Sequence, residues 1–161
     1  MPDTDCFMKG VKNPTRIQGF KKNDDGSPLA QTEHTLIIID GPGTFISAAI
    51  SKLGGVNDHT FVILDIDGRN VVFFRMDFAK LMGLEKENNP YGIVFHKGRN
   101  KVKTLTIGFS TPLYISAEKR LILKVKVEEN NVTKIVADVV FGTADGRPPE
   151  ETGGRPEPPQ P

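Results

Sequence analysis

Residues 120–141 read RLILKVKVEENNVTKIVADVVF, and the alternation within them decides the fold. Leu121, Leu123, Val125 and Val127 take every second position, and Ile122, Lys124, Lys126 and Glu128 fall between them. After the turn residues 128–131, Ile135, Ala137, Val139 and Phe141 repeat the pattern, with Lys134 and Asp138 on the opposite parity. Successive side chains of a strand point to opposite faces, so each half is read as a strand with one buried and one wet face. The segment predicts antiparallel β-structure.

Working outward, residues 91–141 contain the further strand-like runs YGIVFH, KVKTLTIGF and PLYIS, separated by turn-like segments such as Lys97-Gly98-Arg99-Asn100. Between positions 97 and 126 stand eight basic residues, Lys97, Arg99, Lys101, Lys103, Lys119, Arg120, Lys124 and Lys126, against the single acid Glu118. The whole chain has 21 basic and 20 acidic residues, so the rest carries 13 and 19 and is net negative. Positive charge is concentrated on one β-rich segment, and the expectation is an antiparallel meander whose wet face is basic.

The first half reads as mixed. Residues 35–40, TLIIID, form a continuous apolar run, as a doubly covered strand does. Gly41-Pro42-Gly43 follows, and then Phe45, Ile46, Ala49, Ile50 and Leu53 recur at helical spacing, with Thr44 as N-cap and Gly54-Gly55 as the stop. That predicts a helix over residues 44–53. The strand, glycine turn and helix start invite a phosphate-loop reading, but no Lys-Ser or Lys-Thr follows the glycines to hold a phosphate, so an ordinary tight turn is expected. Residues 60–66 and 70–76 are rich in β-branched and aromatic residues and flank Asp67-Gly68, which predicts a hairpin with a type I′ turn. Residues 34–40 and 59–65, HTLIIID and HTFVILD, echo one another as two core strands of similar composition. Asp77 caps a second short helix, FAKLM, ended by Gly83.

The fold class is therefore α+β: a mainly antiparallel sheet of meander, OB-like or sandwich-like form, with two short helices in the first half. Residues 1–30 are expected to be a flexible basic arm, residues 31–142 a single β-rich domain, and residues 143–161 a disordered tail rich in proline, glycine and glutamate. At 161 residues the chain is long enough for one core without staples, and a single cysteine, Cys6, allows no internal disulfide. No apolar run has secretory or membrane-spanning length, so a cytoplasmic, reducing location is expected, without membrane contact.

Site chemistry is sparse. His34, His59 and His96 lie far apart in sequence with no metal-ligand spacing, and no G-x-S-x-G elbow occurs. No metal, cofactor or catalytic residue is expected. The segment ILDIDGRN around Asp65 and Asp67 resembles the D-x-D-G motif of haloacid-dehalogenase-like phosphatases. The resemblance implies Asp65 as nucleophile and Asp67 as acid/base beside magnesium, although Arg69 stands where that family has Thr or Val. A hairpin turn accounts for the same letters.

The leading expectation is a non-catalytic protein binding single-stranded nucleic acid, DNA in the first instance. Lys97, Arg99, Lys101, Lys103, Lys119, Arg120, Lys124 and Lys126 would contact phosphates, and Phe73, Tyr91, Phe95, Phe109 and Tyr114 would stack on bases. The tail would dock a protein partner. The competing expectation is a small structural or assembly protein of virion or scaffold type, homo-oligomeric through β-rich interfaces.

Overall fold

A computed structural model describes residues 12–86, 93–97 and 102–143. Nine strands and one helix follow in the order β1 (Lys12–Lys22), β2 (Glu33–Asp40), β3 (Gly43–Gly54), β4 (Thr60–Ile66), β5 (Arg69–Arg75), α1 (Met76–Leu81), β6 (Ile93–Lys97), β7 (Val102–Ile115), β8 (Arg120–Val127) and β9 (Val132–Thr143). They form a five-stranded sheet, β1-β9-β3-β7-β6, and a four-stranded sheet, β2-β8-β4-β5. All pairings are antiparallel. The sheets pack face to face and do not close into a barrel, so of the expected forms the sandwich-like one is found and the OB-like one is not.

The core follows from the alternation in the opening stretch. Leu121, Leu123, Val125 and Val127 of β8 are buried from the four-stranded sheet, and Ile135, Ala137, Val139 and Phe141 of β9 from the five-stranded one. Both sets belong to one cluster with Ile17, Leu36, Phe45, Ile50, Leu64 and Phe95. Each large apolar side chain removed from water contributes about 1.5–3 kcal/mol.

Four expectations are corrected. Residues 44–53 are not a helix but lie in β3, the central strand of its sheet, between β9 and β7. The cause is a register shift between Phe45 and Ser47, seen against both neighbours. A bulge inserts one residue and breaks the parity, and β3 carries apolar residues on both faces, Phe45 and Ile50 inward and Ala49 and Leu53 outward, so together they mimic helical spacing. Among the described residues one short helix, α1, is therefore present instead of two. Residues 12–22, assigned to a flexible arm, form β1, paired along β9. Gly19 makes this possible: a Cβ there would lie 2.1 Å from the Leu36 carbonyl oxygen of β2, so only glycine lets β1 pass this close.

The fourth correction concerns the meander. KVKTLTIGF and PLYIS are one strand, β7, and β8 lies in the opposite sheet from β7 and β9. The basic segment is thus divided between two sheets, because alternation reports which residues are buried and not which sheet a strand joins. The β4–β5 hairpin is found as expected, and Asp67 and Gly68 have φ of 57° and 77°, both positive as type I′ requires. Residues 1–11, 87–92, 98–101 and 144–161, which include Cys6, the basic turn and the tail, lie outside the described residues.

Candidate nucleic-acid interface

The two outward sheet faces differ in how their charges are used. On the four-stranded face, β8 presents Arg120, Ile122, Lys124 and Lys126. Arg120 pairs with Asp40 at 3.2 Å, Lys124 with Glu33 at 3.4 Å, Lys126 with Glu128 at 3.0 Å, and Lys119, just before the strand, with Asp67 at 2.7 Å. Cross-strand register explains two of these pairs, since Asp40 lies opposite Arg120 and Glu33 opposite Lys126 beside Lys124. Asp40 and Glu33 of β2 and Asp67 of the β4–β5 turn are remote in sequence from the basic run, whereas Glu128 follows directly after β8. The face is therefore close to neutral.

The same face carries an aromatic group. Phe73 of β5 is half exposed, and its ring centroid lies 4.9 Å from that of Phe61 on β4. Arg75 stands 5.9 Å from the Phe61 ring and 4.6 Å from Phe78 of α1, and Lys126 5.9 Å from Phe61. The structure thus brings Phe73, Lys124 and Lys126 onto one face.

Other expected site residues are placed elsewhere. Phe95 is wholly buried in the core and cannot stack on a base. Lys103 points inward from β7 and bonds Asp58. Tyr114 is exposed on β7, in the other sheet, opposite Thr44. Lys97 ends β6 and Phe109 lies within β7, again in the five-stranded sheet. Tyr91, Arg99 and Lys101 lie outside the described residues. Asp65 and Asp67 sit at the β4–β5 turn, where Asp65 Oδ1 accepts the Gly68 N–H at 2.8 Å. Among the described residues no group of three or more His, Cys, Asp or Glu is arranged to hold a metal ion, and no helix is long and apolar enough to cross a membrane.

The five-stranded face carries a feature that sequence reading missed. Two adjoining cavities, of about 530 and 460 Å³, form a trough across the strands and share Ala49 and Asp138. Small side chains on β3 and β7, Ser47, Ala49, Ser51 and Gly108, make its floor, while larger ones on β1 and β9 rise beside it. At one end Lys22 and Lys134 are directly opposed across β1 and β9. Neither has a carboxylate partner among the described residues. Half-exposed Phe20 stands beside them, with the Lys134 ammonium 6.0 Å from its ring centroid.

In the middle of the trough, Asp138 Oδ2 accepts from Arg16 Nε at 2.9 Å and from Arg16 Nη2. The hydrogen bond and charge of Asp138 hold the Arg16 guanidinium above its ordinary pKa. Asp138 Oδ1 is buried without a hydrogen-bond partner. The sequence signal for this site was present in Phe20, Lys22, Lys134 and Asp138, but β1 was read as an arm and could not be set beside β9. No protein-family model matches this chain, and no curated protein matches it.

Proposed function

We propose that the protein is a non-catalytic binder of single-stranded nucleic acid, with the strand lying in the trough of the five-stranded sheet. The observation that carries this reading is the opposed pair Lys22 and Lys134 beside Phe20. Like charges directly opposite on neighbouring strands are destabilising, and a phosphate between them removes that cost. A positive groove joined to an exposed aromatic side chain is what single-strand binding requires. The small-residue floor lets a base approach the sheet. The paired cations of β8 fit this role less well, because each already has a carboxylate beside it.

The test is fluorescence anisotropy with labelled single-stranded DNA and RNA oligomers across a salt series. Binding that weakens steeply with salt, and is lost in Lys22→Glu/Lys134→Glu, supports the reading. Absence of binding at low salt removes it.

A second reading, assembly through a β-interface, is favoured by one observation. The edge strand β5 exposes Val71 and Phe73, and Phe78, Leu81 and Met82 are exposed in and just after α1. Open apolar edges pair with other chains. Sedimentation that shows concentration-dependent oligomers, abolished by Phe73→Lys, would favour it.

A further inference from the structure

At one end of the sandwich, Lys52 is wholly buried and hydrogen-bonded to two carboxylates, Asp58 Oδ1 at 2.8 Å and Glu129 Oε2 at 2.8 Å. Glu129 is likewise buried, and its oxygens also take the Thr60 hydroxyl at 2.6 Å and the backbone N–H groups of Asn57 and Asp58 at 3.4 and 3.3 Å. Lys103 bonds the same Asp58 oxygen that Lys52 does. Asp58 itself is held at φ of 60°, a conformation a non-glycine residue rarely adopts, and this turns its carboxyl toward Lys52. Gly55 has φ of 93°, and a Cβ there would lie 2.1 Å from Glu129 Oε1 and 2.9 Å from Lys52 Nζ. The chain is shaped around three reactive groups.

We propose that Lys52 and Asp58 join in an intramolecular amide bond, with Glu129 as the proton carrier. The Lys52 ammonium gives a proton through Glu129 to the outer oxygen of Asp58, and the freed amine attacks Cγ of the carboxyl so neutralised, to whose Oδ1 it is already hydrogen-bonded. The 2.8 Å contact with Oδ1 holds the nitrogen beside that carboxyl, and groups so positioned react as if highly concentrated. The Lys103 ammonium stabilises the negative charge that develops on Oδ1. Two of the three ammonium protons pass to the departing Asp58 oxygen, the C–O bond breaks, and one water leaves. The third proton stays on the amide nitrogen, and Glu129 ends as the carboxylate it began as. Nothing is oxidised or reduced.

The driving force is burial. A charged amine and a charged carboxylate withdrawn from water carry a desolvation cost that a neutral, hydrogen-bonded amide does not. Water has an exit, since Lys103 and Asp58 retain slight exposure while Lys52 and Glu129 have none. Asp58 is the carbon attacked because Lys103 stands on its Oδ1, where negative charge develops, and Glu129, fixed by four donors, relays the proton.

Intact mass spectrometry of the denatured full chain tests this. The expected mass is that of the sequence less one water, with Lys52→Arg at its full mass and Glu129→Gln folded by circular dichroism but at full mass. Peptide mapping should find residues 52 and 58 in one branched fragment. The wild-type mass alone decides even where a variant fails to fold: a mass equal to the sequence overturns the proposal. Loss of water that persists in Lys52→Arg, that is reversed by mild alkali as an Asp-Gly succinimide is, or that maps to a Lys52–Glu129 link also overturns it.

Discussion

Lys52 and Lys103 are direct cross-strand partners on β3 and β7, and both turn inward, where Asp58 binds the two ammonium groups through one oxygen. With Glu129 the cluster balances two positive against two negative charges, Lys52 and Glu129 fully buried and Lys103 and Asp58 only slightly exposed. It ties β3, the β3–β4 connection, β4, β7 and the β8–β9 turn together.

Removing one member of such a cluster leaves an uncompensated buried charge. Lys52→Met is expected to cost about 3–5 kcal/mol, far more than loss of an exposed pair such as Lys126–Glu128, which should cost about 0–1 kcal/mol. Urea denaturation of the two variants measures the difference.

The cluster also fixes a pH dependence. Burial is the largest influence on Asp58 and raises its pKa, but the hydrogen bonds and charges of Lys103 and Lys52 outweigh it and leave the carboxyl below its ordinary 3.8. Glu129 is lowered from 4.5 in the same way, burial being exceeded by Lys52, Thr60 and the Asn57 amide. A carboxyl depressed on folding contributes stability that is complete above its unfolded pKa and lost as pH falls through its folded one. Stability of the ionic form should therefore hold above the ordinary carboxylate range and fall below about pH 4, with a shallower fall in Glu129→Gln. In the amide-linked form the Asp58 share is absent, and the Glu129 share loses the Lys52 charge that is part of its cause. Thermal melts between neutral and acid pH give the slopes.

Nucleic-acid affinity should separate the two faces. Lys22→Glu/Lys134→Glu is expected to abolish binding, and each single Lys→Ala change to lower the slope of log affinity against log salt by about 1. Lys124→Ala/Lys126→Ala should leave affinity within about twofold, because these lysines are already neutralised. Anisotropy titrations at several salt concentrations check both.

Gly19→Ala should loosen β1 without touching a charge. The new Cβ meets the Leu36 carbonyl at 2.1 Å, so the β1 and β2 backbones must part, at a cost of about 1–3 kcal/mol. Hydrogen exchange should show faster exchange confined to β1 and its β9 partners, together with weakened oligonucleotide binding as the trough loses Phe20 and Lys22.

The sequence alone determined which residues are buried in the strongly alternating strands, because a period of two needs only local geometry. Leu121 to Val127 in β8 and Ile135 to Phe141 in β9 follow it; the Asp67-Gly68 hairpin and a short helix near Asp77 came from local turn and capping signals, although the helix starts at Met76 and holds Asp77 in its first turn and not at its cap. Sheet membership was decided only by the tertiary structure, since a strand's alternation is the same whichever sheet it joins. For that reason the basic run from Lys103 to Lys126 divided between two layers, and its members met acids from β2, the β4–β5 turn and the β3–β4 connection. Apolar residues on both faces of β3, with the bulge after Phe45, hid a central strand behind a helical spacing, and with it the inward turn of Lys52. The trough and the buried cluster both join residues far apart in sequence, Arg16 with Asp138 across 122 positions and Lys52 with Glu129 across 77, and pairing at that separation is set by packing, not by local pattern.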